Sequence, residues 1–304
     1  MSHTRSQSLH DESASGPATG LWSTTASFGS LVKIEHTIFS LPFAALGMAL
    51  AADGLPSLKT VALIGVALVA ARTAAMAFNR LVDRRFDRAN PRTQSRELVT
   101  GKLSVAKTVA LVTIAVAVFI TAAFLLNTLC GVLSFPTLVV ILGYSYTKRF
   151  TALSHLALGL ALGISPGAAW LAVGAPLGWT PILLGLIVLT WVAGFDVLYS
   201  LADEGFDREH NLRSIPQALG VERAIIVSRL LHIICAVLML LLYFHLRLPW
   251  WSAFLLAPTY ALFVRQHSLV SADDLSRLDV AFFTVNGWLG VVFCALTAGV
   301  YFLV

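Results

Sequence analysis

The chain has 304 residues, of which 57% are hydrophobic and only 12% are charged, and its formal net charge is +5 at pH 7. Its mean hydropathy is +0.80. This composition excludes an ordinary soluble domain and predicts an all-α integral membrane protein, because each membrane-crossing helix needs roughly 20 mainly apolar residues. Cytoplasmic loops and an anionic substrate account for the excess of basic residues, so we expect the lipid bilayer, and no nucleic acid, as a partner.

A polar N-terminal segment precedes nine apolar runs. Residues 1–28 are rich in Ser and Gly and lack the apolar core of a cleaved signal peptide, so we predict a disordered cytoplasmic tail there. A transmembrane domain is predicted over residues 29–304. Its nine candidate helices are Leu31–Ala52, Leu58–Phe78, Val105–Leu126, Thr128–Tyr146, Leu153–Val173, Pro181–Ser200, Ala224–His245, Pro249–Val264 and Val280–Leu303.

Basic residues concentrate in alternate connections between these runs. The second-to-third connection carries seven of them, and the fourth-to-fifth carries Lys148 and Arg149. The intervening connections carry only Lys59 and Arg247. Because loops rich in Lys and Arg stay in the cytoplasm, the N-terminus is predicted inside and the C-terminus outside.

Two acidic clusters occupy matching places, each directly after a long apolar run. Spacings of four and four in the first, and of seven and four in the second, keep the side chains of each cluster near one face of a helix. Both clusters fall on the predicted cytoplasmic side, so the topology brings them to the same end of the molecule. The first cluster is Asn79, Asp83 and Asp87, and the second is Asp196, Asp203 and Asp207.

Carboxylate clusters of this kind suit Mg²⁺, which prefers oxygen ligands and is usually held by a few carboxylates together with substrate phosphates. We therefore predict a Mg²⁺-dependent enzyme acting on a lipid diphosphate. An allylic diphosphate reacts by losing pyrophosphate to leave a carbocation, and metal ions on the phosphate oxygens lower that barrier. Lys148 and Arg149 would add fixed donors to the phosphates. The predicted metal ligands are Asn79, Asp83, Asp87, Asp203 and Asp207.

A weak internal repeat accompanies the clusters. The segment Phe86–Thr93, FDRANPRT, resembles Phe206–Ser214, FDREHNLRS, four spans later. This predicts two pseudo-repeated four-helix halves plus one further helix, although a match this short also arises by chance.

Charged residues at cytoplasmic helix ends are also common without any function. The acidic residues here could simply pair with basic neighbours, for which the candidates are Arg84, Arg85, Arg88 and Arg208. Two clusters in matching positions favour the functional interpretation, since one such motif alone would be weak. Asp83 and Asp196 also lie close to apolar runs, where an unpaired carboxylate is costly and a functional role is the default hypothesis.

At these residues the chain resembles the UbiA superfamily of intramembrane prenyltransferases. The first cluster matches the family's first motif, and Asp196, Tyr199, Asp203 and Asp207 match its second, DxxYxxxDxxxD. The segments Asn90–Arg96, NPRTQSR, and Gly143–Phe150, GYSYTKRF, resemble the bacterial hydroxybenzoate-polyprenyltransferase branch.

The resemblance implies about nine helices around a central cavity that opens toward the bilayer. It also implies Mg²⁺ dependence and transfer of a polyprenyl group from its diphosphate to a ring carbon of a small aromatic acid of the 4-hydroxybenzoate type. The expected location is a bacterial inner membrane, with the active site toward the cytoplasm. The predicted catalytic residues are Asp83, Asp87, Asp196, Asp203 and Asp207, and the predicted substrate-binding residues are Arg72, Asn79, Lys148, Arg149 and Tyr199.

Each of three further residues has two possible roles. Arg72, seven residues before Asn79 and on the same helix face, either binds the aromatic carboxylate or a phosphate, or is a buried arginine paired with an acid. Glu35 and His36, at the start of the first span, either line the cavity mouth or form an interfacial pair.

Alternative functions stay open. The same chemistry on dihydroxynaphthoate would serve menaquinone synthesis, and haem, homogentisate or a glycerol phosphate lipid would be other acceptors within the superfamily. A transporter is an alternative of another class, but it would place its ionisable residues near the bilayer midplane, whereas most here lie toward one face. A structural membrane protein would leave the paired clusters unexplained.

Overall fold

The computed structural model describes residues 40–304, and every regular element in that range is helical. The predicted disordered tail, the start of the first predicted span, and Glu35 and His36 lie outside the described residues. The α-helices, in chain order, are α1 (Leu41–Ala52), α2 (Leu58–Ala89), α3 (Glu97–Thr100), α4 (Val105–Leu126), α5 (Thr128–Thr147), α6 (Ser154–Ala172), α7 (Trp179–Ser200), α8 (Glu204–Glu209), α9 (Ile215–Leu219), α10 (Val221–His245), α11 (Ala257–Ser268) and α12 (Asn286–Leu303).

Over residues 40–304, seven helices are long and apolar enough to cross a membrane. They correspond to seven of the predicted spans, which confirms an all-α integral membrane protein. The first and eighth predicted spans correspond to the shorter helices α1 and α11, and a 3-10 helix, Trp250–Leu256, precedes α11. The total of nine membrane-crossing helices therefore stays a prediction.

Helices α6 and α7 form the closest pair in the bundle, and glycines let them approach. A Cβ built at Gly159 would lie 2.4 Å from the carbonyl oxygen of Leu189, and one at Gly163 would lie 2.7 Å from that of Gly185. Gly167 differs, because a Cβ there would meet nothing within 4 Å. Small residues at such crossings let helix backbones pack closely in membranes.

The largest apolar core lies where α7 meets α1, α10 and α12. Trp191 is completely buried there, and its ring lies 5.2 Å from Phe43 and 5.3 Å from Phe195, centroid to centroid. The indole Nε1 donates a hydrogen bond of 2.9 Å to the Asn286 side-chain oxygen, which satisfies the one polar atom of the ring. Asn286 itself is completely buried.

A π-helical turn, Val280–Val285, leads into α12. The Asn286 amide donates to the carbonyl oxygens of Ala281 and Phe282 across this turn. The wider turn places the ring of Phe282 at the cavity, stacked 4.0 Å from Tyr199. Single π-helical turns are often found at functional sites.

Candidate active site

A cavity of about 660 Å³ brings all ten predicted site residues together. Helices α2, α4, α5, α6 and α7 supply most of its lining, and the charged residues gather at one end. The opposite end, where α4 meets α5 and α6 meets α7, is lined by Leu126, Cys130 and Leu177. The ten residues are Arg72, Asn79, Asp83, Asp87, Lys148, Arg149, Asp196, Tyr199, Asp203 and Asp207.

The first acidic cluster lies on one unbroken helix. Helix α2 continues eleven residues beyond Phe78, the predicted end of the span, and ends at Ala89. Its last turns therefore carry Asn79, Asp83 and Asp87 on one face, as the four-residue spacing predicts. The Asn79 amide nitrogen donates 2.9 Å to Asp83 Oδ2, and Asp87 is buried.

The second cluster is not on a single helix, which corrects the expectation from its spacing. Helix α7 ends at Ser200, a 3-10 turn spans Leu201–Asp203, and α8 then begins at Glu204. Asp196 therefore lies on α7, Asp203 ends the turn and Asp207 lies on α8. The change of helix type still leaves all three carboxylates lining the same cavity.

Basic side chains pair with four of the five aspartates. Three of the four pairs join residues distant in sequence: Arg92 with Asp203, Lys148 Nζ with Asp207 Oδ2 at 3.7 Å, and Arg149 Nη2 with Asp83 Oδ1 at 3.6 Å. The fourth joins Arg96 to Asp87 at 2.5 Å. Lys148 and Arg149 were predicted at the phosphates, and here they stand directly beside the carboxylates that flank the same space.

Asp196 has a different partner. Its Oδ2 lies 2.7 Å from Nδ1 of His155, a histidine that is completely buried at the start of α6. The other ring nitrogen, Nε2, accepts a hydrogen bond from the backbone N–H of Ile215 at 3.3 Å. Among the described residues, no lysine or arginine forms an ion pair with Asp196.

Arg72 and Tyr199 line the cavity in different surroundings. The Nε of Arg72 is buried without a hydrogen-bond partner, and no ion pair joins Arg72 to any acid over residues 40–304. Of its two predicted roles, pairing with an acid of the described chain is therefore absent. The ring of Tyr199 lies between Phe282, stacked at 4.0 Å, and the guanidinium of Arg92, 4.7 Å from the ring centroid.

The basic residues that reach the carboxylates are not the ones proposed as simple charge partners. Arg84, Arg85 and Arg88 are exposed, and Arg208 pairs with Glu204 on α8. The pairing residues outside the predicted set are Arg92 and Arg96. Both lie in NPRTQSR, the segment that resembles the hydroxybenzoate branch, so that motif was the available signal.

Two other site residues were missed. Asn90 donates from its amide nitrogen to Asp203 Oδ1 at 3.2 Å, and it too lies in NPRTQSR. His155 stands alone between hydrophobic and small residues in SHLALG. No local pattern distinguishes it, because its partners Asp196 and Ile215 are 41 and 60 residues away.

The site suits a divalent cation only together with a substrate. No group of three or more His, Cys, Asp or Glu side chains over residues 40–304 is arranged to hold a metal ion by itself. The two clusters nevertheless offer a metal ion only oxygen ligands, from the carboxylates and from the Asn79 amide. Asp207 Oδ2 is buried without a hydrogen-bond partner. Mg²⁺ commonly takes one or two carboxylates and completes its shell with water and phosphate oxygens, so the residues present fit it.

Comparison with known proteins gives a consistent set of relatives. A sequence model of the UbiA prenyltransferase family matches residues 40–300. A 4-hydroxybenzoate octaprenyltransferase from Photobacterium profundum is 29% identical over 264 residues, covering 87% of this chain and 89% of the relative. Another, from Francisella tularensis subsp. novicida, is 28% identical and covers 81% of this chain and 86% of the relative.

Solved structures share the fold. The apo structure of a UbiA homolog from Aeropyrum pernix K1 superposes with a TM-score of 0.78 at 34% identity, covering 87% of this chain and 97% of the homolog. A UbiA homolog from Archaeoglobus fulgidus, bound to GPP and Mg²⁺, has a TM-score of 0.72 at 19% identity and covers 91% of this chain. The whole of that homolog is matched.

Proposed function

This chain belongs to the UbiA prenyltransferase family, and from that membership we propose that it transfers a polyprenyl group from an allylic diphosphate to a ring carbon of an aromatic acid of the 4-hydroxybenzoate type. One observation carries the proposal. The charged end of a long apolar cavity holds two carboxylate clusters and the basic side chains that pair with them. The charged end suits the diphosphate head group of the substrate, and the apolar remainder of the cavity suits its isoprenoid tail.

The basic side chains hold the leaving group. When the carbon–oxygen bond of the prenyl diphosphate breaks, negative charge accumulates on pyrophosphate, and cationic donors fixed beside it stabilise that charge. Lys148 and Arg149 line this part of the cavity, together with Arg92 and Arg96. Bound Mg²⁺, held by oxygens of Asn79, Asp83, Asp87, Asp203 and Asp207, would supply further neutralisation of the phosphate oxygens. The relative bound to GPP and Mg²⁺ supports this assignment.

The acceptor requires an anion-binding group and a base. The buried guanidinium of Arg72 has an unused donor in the cavity wall and suits a carboxylate, which arginine binds with charge-assisted hydrogen bonds. Asp196 is the one aspartate of the five that faces a histidine rather than a paired lysine or arginine among the described residues. It is free to accept the hydroxyl proton of the acceptor as the ring carbon attacks the prenyl cation.

The proposed location is a bacterial inner membrane with the charged end of the cavity facing the cytoplasm. The basic connections support this orientation, because Arg84, Arg85 and Arg88 are exposed at the end of α2 that carries the first cluster. Loops rich in basic residues remain on the cytoplasmic side.

The test is an assay of the purified full-length chain in lipid nanodiscs with Mg²⁺ and polyprenyl diphosphates of several lengths. The acceptor panel contains 4-hydroxybenzoate, dihydroxynaphthoate and homogentisate, with glycerol phosphate as a non-aromatic control. We expect a prenylated 4-hydroxybenzoate by mass spectrometry, and loss of product in excess EDTA. Product formed only from dihydroxynaphthoate would identify the acceptor of menaquinone synthesis instead. Product formed only from glycerol phosphate, or full activity in EDTA, would contradict the proposal.

A further inference from the structure

A single histidine links three separate parts of the chain at the charged end of the cavity. His155, the second residue of α6, contacts Asp196 on α7 and Ile215 at the start of α9. Its side chain is completely buried and does not line the cavity, whereas Asp196 does. His155 therefore reaches the reacting groups only through Asp196.

The two contacts determine the tautomer of His155. The backbone N–H of Ile215 can only donate, so Nε2 of His155 must accept and carries no proton. A neutral imidazole has its one proton on the other nitrogen, and that nitrogen, Nδ1, lies 2.7 Å from Asp196 Oδ2. The N–H at Nδ1 therefore donates a hydrogen bond to Asp196 Oδ2, and this bond fixes the orientation of the carboxyl group.

Asp196 lacks any other fixed support. The structure gives its carboxylate no second hydrogen bond among residues 40–304, and a fifth of the side chain is exposed to the cavity. The other four aspartates each lie beside an arginine or lysine side chain. A neutral imidazole orients a carboxylate without adding a positive charge next to it.

We propose that His155 is a positioning residue for the transfer reaction, and that it holds Asp196 in the orientation in which that carboxylate takes the hydroxyl proton of the aromatic acceptor. The inference rests on the proposed function for the identity of the acceptor. Oδ2 of Asp196 is held by His155, so the other carboxylate oxygen is directed to the bound ring. The allylic carbon–oxygen bond breaks and pyrophosphate leaves, the ring carbon attacks the resulting cation, and the hydroxyl proton passes to Asp196. The substituted ring carbon then loses its hydrogen as a proton and the oxygen regains one, which restores the aromatic phenol.

A merely structural role for His155 is the competing explanation, because the contact with Ile215 also ties α9 to α6. Two substitutions separate the roles. In His155→Asn, the amide nitrogen occupies the place of Nδ1, so the hydrogen bond to Asp196 is retained and that to Ile215 is lost. In His155→Gln, the amide group reaches the place of Nε2, so the contact with Ile215 is retained and that with Asp196 is lost.

The kinetic test measures kcat and the KM of each substrate for both variants in nanodiscs. We expect His155→Gln to lower kcat about 10- to 100-fold, the range for one charge-assisted hydrogen bond, with the KM of the prenyl diphosphate unchanged. We expect His155→Asn to retain most of the activity. The defect of His155→Gln should also shrink along a series of ring-fluorinated 4-hydroxybenzoates, because a more acidic hydroxyl needs less help from a base. Equal losses in both variants, or a defect independent of hydroxyl acidity, would overturn the proposal.

A spectroscopic measurement tests the arrangement without relying on turnover. In the full-length chain labelled with ¹⁵N-histidine, we expect His155 to show the neutral tautomer with its proton on Nδ1, assigned by its absence in His155→Asn. A proton on Nε2 instead would contradict the geometry. A wild-type chain that prenylates no acid on the panel would contradict the proposed function, and the tautomer would still report whether His155 donates to Asp196.

Discussion

Buried carboxylates at the charged end of the cavity are held by partners supplied from distant parts of the chain. Asp203 receives hydrogen bonds from Asn90 and Arg92, both on the connection after α2, and Asp207 stands opposite Lys148. A buried charge is tolerated when it is paired and is strongly destabilising when its partner is removed. Under the proposed function, each of these side chains has two roles: it balances a charge before substrate binds, and it contacts the diphosphate or the metal ion afterwards.

The first prediction compares two neighbouring acids. Asp203→Asn should lower kcat/KM about 100-fold or more, because a carboxylate that supports a metal and phosphate contributes several kcal/mol to the transition state. Glu204→Gln is the matched control, since Glu204 pairs only with Arg208 on its own helix and does not line the cavity. Initial rates with Mg²⁺ and saturating acceptor measure both. Similar rates for the two variants would show that the cluster is structural.

The second prediction separates the two substrates. Arg72 has an unpartnered Nε in the cavity wall, whereas Lys148 stands beside Asp207 at the charged end. Arg72→Ala should chiefly raise the KM of the aromatic acid, and Lys148→Ala should chiefly weaken use of the prenyl diphosphate. Separate titrations of the two substrates give the answer. If Arg72→Ala changes only the diphosphate KM, the carboxylate of the acceptor is bound elsewhere.

At the scale of helices, the α6–α7 pair holds the proposed proton acceptor and its positioning histidine. His155 is on α6 and Asp196 on α7, so the distance between them depends on how closely those helices pack. That spacing is set by Gly159 and Gly163, each of which faces a backbone carbonyl of α7. Any added side chain atom at Gly159 would push the two helices apart.

The third prediction tests this contact. Gly159→Ala places a methyl group 2.4 Å from the Leu189 oxygen, so it should lower the free energy of unfolding by an amount typical of overpacking, about 1–3 kcal/mol, and with it the melting temperature of the detergent-solubilised protein. Gly167→Ala is the control on the same helix, where the added carbon meets nothing within 4 Å. Thermal unfolding followed by intrinsic fluorescence compares the two. A smaller loss at Gly159 than at Gly167 would refute the packing argument.

The bounds of a helix could be predicted from the sequence where a hydrophobic run and its polar flanks determine them. Val105–Leu126 begins and ends as predicted, because polar Ser104 and Asn127 flank a run that is apolar apart from Lys107 and three threonines, and they cap its two ends. The end of α2 was placed eleven residues too early, since hydropathy falls at the first charged residues while the helix continues. The break after Ser200 was also missed, because no proline precedes it and the change to a 3-10 turn has no simple sequence signal.

The ten candidate site residues could be grouped in advance because nine belong to motifs, and Arg72 precedes the first cluster at a helical spacing of seven residues. The ion pairs and hydrogen bonds between these residues and their partners could not be predicted. Arg92 and Asp203 are 111 residues apart, and His155 and Asp196 are 41 apart, so only the packing of the helices decides which side chains meet. A lone histidine beside a serine has no spacing that could reveal a buried partner.

At the scale of the whole molecule, the charged residues that line the cavity gather toward one end, and most of the remaining wall is apolar. The cavity runs from that end along α6 to the connection between α6 and α7, with Ser154 and Ala172 both in its wall. Helix α6 has 19 residues, so the cavity follows roughly 28 Å of helix, close to the thickness of the hydrocarbon core. The arrangement suits a head group at the membrane surface and a long chain within the bilayer.

The fourth prediction tests this orientation by cysteine labelling. Single cysteines at the exposed positions Arg85 and Glu209 should react with an impermeant maleimide from the cytoplasmic side, whereas one at Leu55 should react only from the opposite side. Cys130 is replaced by Ala beforehand, while buried Cys235 and Cys294 are retained. Labelling of Arg85→Cys and Glu209→Cys from opposite faces of sealed vesicles would exclude a shared site.

The pairing of acids with bases at the charged end of the cavity has a thermodynamic consequence. A cation that binds alone must displace arginine or lysine from a carboxylate. A diphosphate that binds alone must draw those basic side chains to its phosphates, which leaves the aspartates without their partners. When both ligands bind, the released arginine and lysine side chains contact the phosphates and the released carboxylates contact the metal ion. Each ligand therefore favours binding of the other. Linkage makes such an effect reciprocal: the factor by which Mg²⁺ tightens binding of the diphosphate must equal the factor by which the diphosphate tightens binding of Mg²⁺. The protein should therefore discriminate against either ligand by itself and capture the two as a unit.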